Sequence, residues 1–245
     1  MCYDVSYMTR KAEKYAERYG DTDQWERMQQ LTIPTFHVSG FKEPDVPVIY
    51  NDGSLRTLIW HPFAIRKGYN SLNARDDKLM TSNFWKEDFQ ERRCLVIIDG
   101  FFDWHDHKGV KYPFYVKMKS EEPFTIGAIF RTSKISGEVR ETVTLVTTRA
   151  NKEMAWIHNE PAYSPESRMM LVIEKEDTEE WLQGNAEEIM NKGMIKPIPD
   201  DILEYHPCTP IRSNKKLGRV YPGNVPEVRE EFDYSVEGND LNLFQ

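Results

Sequence analysis

Between Cys94 and Thr147 the chain passes through four β-rich stretches, Cys94–Ile98, Tyr112–Met118, Phe124–Phe130 and Thr142–Thr147, separated by turn clusters. Stretches rich in Val, Ile, Thr, Tyr and Phe suit a pleated, half-buried surface. Short connections join antiparallel neighbours, because a parallel pair needs a crossover of a dozen residues or more. Upstream, Val46–Tyr50 and Leu55–Trp60 flank Asn51-Asp52-Gly53-Ser54, a strong hairpin signal. Phe36–Val38 and Arg168–Ile173 read as further strands. The helical readings are Thr9–Tyr19 with Thr9 as cap and Gly20 as stop, Asn83–Arg92, Asn151–Ile157, and Thr178–Leu182 with Thr178 as cap. Strands outnumber helices, which favours an α+β chain over a doubly wound one. The expectation is a single domain, residues 1–220, on a mostly antiparallel, barrel-like β-sheet with flanking helices. Residues 221–245 read as a loosely attached acidic C-terminal tail.

Charge narrows the function classes less than it first suggests. The net charge of −8 argues against a broad basic face of the kind that binds nucleic acid. Much of the acid, however, sits in Glu227, Glu230, Glu231, Asp233, Glu237 and Asp240, and net charge does not describe one groove. Three cysteines, Cys2, Cys94 and Cys208, are too few and too scattered for a disulfide framework or a CxxC knuckle. No apolar run approaches the ~18 residues of a membrane span, and no signal peptide opens the chain. A reduced, cytoplasmic protein without membrane contact is expected.

Cys2 directly follows the initiator methionine. Removal of Met1 would leave an α-amine and a thiol on one residue, a 1,2-aminothiol that condenses with an aldehyde and closes a thiazolidine ring. An α-amine with a pKa of about 7.7–8.0 is roughly one-tenth neutral at pH 7, against about 0.04% for a lysine at about 10.4. Asp103 lies in Asp99-Gly100-Phe101-Phe102-Asp103-Trp104, where an apolar strand runs into a glycine turn. Burial among aromatics would suit it to acid/base work; the plainer alternative is a strand-end carboxylate satisfied by backbone N–H groups. His158, in Trp156-Ile157-His158-Asn159, is equally readable as a partly buried structural histidine. His105-Asp106-His107 reads as exposed loop rather than a metal site. Arg75, in Asn73-Ala74-Arg75, would hold a phosphate or pair with Asp76 or Asp77, and Arg149, Arg168 and Arg212 read as surface arginines.

Taken in order, Met1-Cys2, Asn73-Ala74-Arg75, Asp99 to Trp104, Thr147-Thr148-Arg149-Ala150-Asn151 leading to Ile157-His158-Asn159, and Arg168-Met169 resemble the SRAP family (SOS response-associated peptidases, or abasic-site processing proteins). The resemblance implies that Cys2 crosslinks to abasic sites in single-stranded DNA, that Asn73 hydrogen-bonds its amine, that Asp103 is the acid/base and that His158 promotes sugar ring opening. It also implies that Arg75, with Arg149 and Arg168, holds the DNA backbone and that Trp60 and Trp104 wedge or stack near the lesion. A monomer without metal or small-molecule cofactor follows from the same resemblance.

The chain departs from the family pattern in four places. Tyr3 and Asp4 follow Cys2 where the family has Gly-Arg, and Asp4 would repel a phosphate. Asp103 stands where the family usually has Glu. His61-Pro62-Phe63 replaces a Trp-Gly-Leu pattern, and Glu160 to Ser167 form an insertion. Two other functions fit the same residues: a thiol peptidase using Cys2 with His158 as base, and a single-strand-binding module without chemistry.

Overall fold

A computed structural model describes residues 3–62, 65–66, 69–159 and 166–237. In chain order its strands are β1 (Asp4–Tyr7), β2 (Thr35–Ser39), β3 (Asp45–Ile49), β4 (Leu55–Trp60), β5 (Ile65–Arg66), β6 (Tyr69–Asn70), β7 (Asn73–Arg75), β8 (Arg93–Ile98), β9 (Gly100–His107) and β10 (Val110–Met118). They continue as β11 (Phe124–Ile135), β12 (Glu138–Arg149), β13 (Arg168–Met170), β14 (Val172–Ile173) and β15 (Leu203–Pro207). The helices are α1 (Ala12–Tyr19), α2 (Thr22–Leu31), α3 (Lys86–Glu91), α4 (Lys152–Ile157), α5 (Thr178–Gln183) and α6 (Ala186–Asn191).

Five strands close into a barrel. β4 pairs with β3 across the Asn51–Ser54 turn, β3 with β8, β8 with β11, β11 with β12, and β12 returns to β4 in parallel. Closure removes the exposed edges that an open sheet must protect. All six residues of β8 are buried, which explains why Cys94–Ile98 is continuously apolar rather than alternating. A second, antiparallel sheet runs β15-β10-β9-β1-β2. The α+β, barrel-based single domain expected from the sequence is therefore the fold observed.

A single residue, Asp99, separates β8 of the barrel from β9 of the second sheet. The sequence suggested a glycine turn here; the chain instead continues as strand through Gly100. Glycine is required because a Cβ at this position would overlap the Tyr115 phenol. Thr9 is not the cap of α1, which begins at Ala12. Its N–H and hydroxyl donate to Asp99 Oδ2 at 2.8 and 2.7 Å.

Helix α2 escaped sequence reading because its stretch is polar and buries only Trp25 and Met28. The tail reading also fails for residues 221–237. Tyr221 Oη lies 2.9 Å from His37 Nδ1, Asn224 Oδ1 accepts from Phe36 N, and Tyr234 donates to the Cys208 carbonyl. Val228 and Tyr234 are buried, while Glu227, Glu230, Glu231 and Asp233 face solvent. Among the described residues, no helix is long and apolar enough to cross a membrane.

Gly100→Ala should cost about 1–3 kcal/mol, the usual range for overpacking a filled interior, because Tyr115 is buried and bonded to Ser6 at 3.1 Å. Urea unfolding measures this directly. A parental unfolding free energy would show that Tyr115 yields at no cost and that the glycine is dispensable.

Candidate active site

Side chains alternate across a strand, so Asp103 and His105 share one face of β9, and both are buried. Helix α4 covers that face. It starts immediately after β12 because Asn151 Oδ1 accepts from Met154 N at 2.8 Å, an N-cap. At its other end Trp156 stacks on His105 with ring centroids 4.4 Å apart, and the Trp156 carbonyl lies 2.9 Å from His105 Nδ1. Asn159 grips the backbone of Asp106 twice, accepting from its N–H at 2.8 Å and donating to its carbonyl at 2.9 Å. Between these two clasps, His158 Nδ1 meets Asp103 Oδ1 at 2.9 Å.

Asp103 Oδ1 also accepts from Trp104 N, and Ser167 Oγ donates to the His158 carbonyl at 2.8 Å. An ionised carboxylate only accepts, so with Asp103 ionised the contact is a hydrogen bond donated by His158 Nδ1. The imidazole is 15% exposed, enough to meet a substrate. Burial lowers the pKa of His105 below the usual histidine value, which keeps it a neutral packing residue. Among the described residues, no group of three or more His, Cys, Asp and Glu is placed to hold a metal ion.

A second cluster forms around the end of β12. β7 runs parallel to it, with Asn73 opposite Leu145 and Arg75 opposite Thr147. Asn73 is buried. Arg75 forks onto Asp77, Nε to Oδ1 at 2.9 Å and Nη2 to Oδ2 at 3.3 Å, and this contact holds the Asp77 carboxyl below its ordinary pKa. Arg149 is exposed and pairs with Glu166 at 3.1 Å. These groups line a cavity of about 350 Å³ together with Asp76 and Arg168, so three arginines face three carboxylates.

Two expected DNA-contacting residues belong to the interior. Trp60 is fully buried, lies against Gly40, and donates Nε1 to the Leu72 carbonyl at 3.0 Å. Arg168 is 2% exposed and bonds Asp76 and the Thr147 carbonyl. Trp104, by contrast, is only partly buried. Asp4 is 1% exposed, with Oδ1 3.1 Å from His37 Nε2 and Oδ2 3.0 Å from Arg212 Nη2. It is a neutralised interior group, not the bare repulsive charge read from the sequence. Cys2 lies outside the described residues. Cys94 and Cys208 are buried, and burial pushes both thiols above their ordinary pKa, so neither is a ready nucleophile.

A family model described as SOS response associated peptidase (SRAP) matches residues 1–212. The chain is 23% identical over 238 residues to the abasic site processing protein HMCES of Xenopus tropicalis, covering 88% of this chain and 66% of that protein. It is 27% identical over 150 residues to the abasic site processing protein YedK of Escherichia coli, covering 59% and 63%. The matched stretches thus span about two thirds of these relatives' own length. A crystal structure of a protein from Bacteroides thetaiotaomicron shares the fold with a TM-score of 0.75 at 26% identity, over 94% of this chain and all of that one. One from Bordetella bronchiseptica, 14% identical with a TM-score of 0.65 over 83% of this chain and 98% of that one, shares the fold.

If Trp60 is core, Trp60→Phe should destabilise the protein by about 1–3 kcal/mol through the lost hydrogen bond and the void, and leave affinity for single-stranded DNA as it was. Paired unfolding and fluorescence-anisotropy titrations test this. Weakened DNA binding at unchanged stability would return Trp60 to the surface role.

Proposed function

Because the chain belongs to the SOS response associated peptidase family, we propose that it processes abasic sites in DNA, as its HMCES and YedK relatives are named for doing, and that it does so by bonding Cys2 to the lesion in single strands. Three observations support this reading. The pairing of His158 with Asp103 carries it, since one buried carboxylate orients a partly exposed imidazole. Strand β1 pairs with β9 so that Asp4 stands opposite Phe102, whose neighbour in the chain is Asp103, and Cys2 precedes Asp4 by two positions, a reach of at most about 7 Å. The other two cysteines are interior.

In this reading, removal of Met1 frees the α-amine. The amine adds to the aldehyde carbon of the opened sugar, and the carbinolamine loses water to give an imine. The Cys2 sulfur then adds to the imine carbon, its proton passing to nitrogen, and the thiazolidine closes. His158 moves the proton that opens the cyclic sugar, Asp103 supplies and takes protons during dehydration, and Asn73 hydrogen-bonds the amine. Arg75 and Arg149 hold the backbone, Arg75 by leaving Asp77. The protein acts as a monomer without metal or cofactor, with strand cleavage by β-elimination and self-release as related steps. The same Asp–His pair would orient a base for a thiol peptidase, which is the second reading.

The mature protein, mixed with an abasic single-stranded oligonucleotide, should form an adduct that survives denaturing electrophoresis. Cys2→Ala should abolish it. Asp103→Asn should slow its formation roughly 10²–10⁴-fold between pH 5 and 8, the usual range for one acid/base group. A full-strength adduct from Cys2→Ala without reductant would sink the crosslinking role, and peptide turnover without any adduct would favour the peptidase.

A further inference from the structure

On the face of β9 that carries Trp104, opposite the face that carries Asp103, lies a cavity of about 580 Å³, walled by Trp104, Lys111, Arg212, Lys216 and Arg219 among others. Its volume falls in the range of clefts that take small ligands. Four of its lining residues are cations and none is a carboxylate, in a chain whose net charge is −8. The cavity of Arg75, Arg149 and Arg168 has no such excess, because its acids match its bases. The basic wall is also built rigidly. Asn214 and Arg219 close the loop with a pair of backbone hydrogen bonds at 2.9 and 3.0 Å, and Asn214 Oδ1 accepts from Lys216 N. Arg219 is buried, sits 4.6 and 4.5 Å from the Tyr112 and Tyr234 ring centroids, and donates to the Lys111 carbonyl.

Arg212 is aimed by the interior. Asp4 holds its Nη2, and Asp4 is itself fixed by His37, whose other ring nitrogen meets Tyr221 at 2.9 Å and whose ring stands edge-on to Phe102. Yet the Arg212 side chain is 54% exposed, with its guanidinium carbon 5.1 Å from the Trp104 centroid. A guanidinium has five donors in a planar fork suited to phosphate, and Asp4 engages one nitrogen of it. An aromatic face beside such a fork is the arrangement that stacks a base and grips its phosphate.

We propose that this cavity holds the nucleotide adjoining the abasic position, its base on Trp104 and its phosphate on Arg212 and Lys216, with Asp4 and His37 as positioning residues that aim Arg212. The choice of the adjoining nucleotide rests on the functional reading above, whereas the cavity's affinity for a strand does not. The acidic residue at position 4 thus serves anion binding, by presenting an arginine from elsewhere in the chain.

The test is fluorescence anisotropy with an undamaged, labelled oligo-dT over a salt series, with adduct formation by the parent on abasic DNA measured separately. Arg212→Ala and Lys216→Ala should each weaken strand binding about tenfold and reduce the slope of log affinity against log salt by about 0.7, the value for one single-strand phosphate contact. Asp4→Asn should weaken binding in the parent and add nothing in Arg212→Ala. Equal losses in both backgrounds would make Asp4 merely structural. Should Asp4→Asn fail to fold, the two surface substitutions decide alone. Parental affinity and slope in both, from a parent that crosslinks, would overturn the cavity assignment and leave the abasic-site reading intact. Weakened binding in both, from a parent that forms no adduct, would do the reverse.

Discussion

Asp99 is the corner on which the molecule turns. One residue carries the chain from the closed barrel into the second sheet, so that corner sets where β9 lies and, four residues on, where Asp103 points. Its carboxylate is fully buried and would be very costly there without partners. It receives the Thr9 N–H and hydroxyl and the Tyr15 hydroxyl at 2.7–2.8 Å, and its own N–H donates to the Ser6 carbonyl. Three separate segments, β1, the stretch before α1, and α1 itself, are thereby tied to a single turn. The site downstream inherits that rigidity.

Buried acids recur in this protein, each with a different consequence. Asp88 is satisfied by Arg92 and Arg131, joining α3 to β11. Asp103 meets a histidine that retains access to solvent, and Asp4 meets an arginine that is half exposed. Arg92 and Arg131 also reach solvent, at 28% and 24% exposed, so what separates the three acids is what each holds: Asp88 ties a helix to a strand, whereas Asp103 and Asp4 each orient a single side chain that a ligand can touch. Asp4 and Asp103 sit on the neighbouring strands β1 and β9 but on opposite faces of the sheet, because Asp4 pairs with Phe102.

The barrel was legible because its strands are long, apolar and bounded by turn residues, and the Asn51–Ser54 hairpin marks itself. β9 was not, since Gly100 and the polar run Asp103 to His107 disguise a strand whose one face is buried by α4. Trp60 shows the converse failure. An aromatic residue at a motif position says nothing about which way it faces, and the barrel turned it inward. His158 and Asp103 were separable only as motif neighbours, because 55 residues of sequence lie between them. Trp156 and Asn159, which clamp His158 onto β9, entered the sequence reading only as neighbours of that histidine.

Charge placement explains how an acidic chain carries a locally basic surface. Glu227, Glu230, Glu231 and Asp233 face solvent on the segment that packs across the second sheet, while Tyr221 and Tyr234 of that same segment brace His37 and Arg219 from behind. The segment that makes the sequence look hostile to phosphate is the one that stiffens the basic wall. Over a Debye length of about 8–10 Å at physiological salt, exposed carboxylates farther away are largely screened, so the local excess around Trp104, not the total of −8, decides what that cavity attracts.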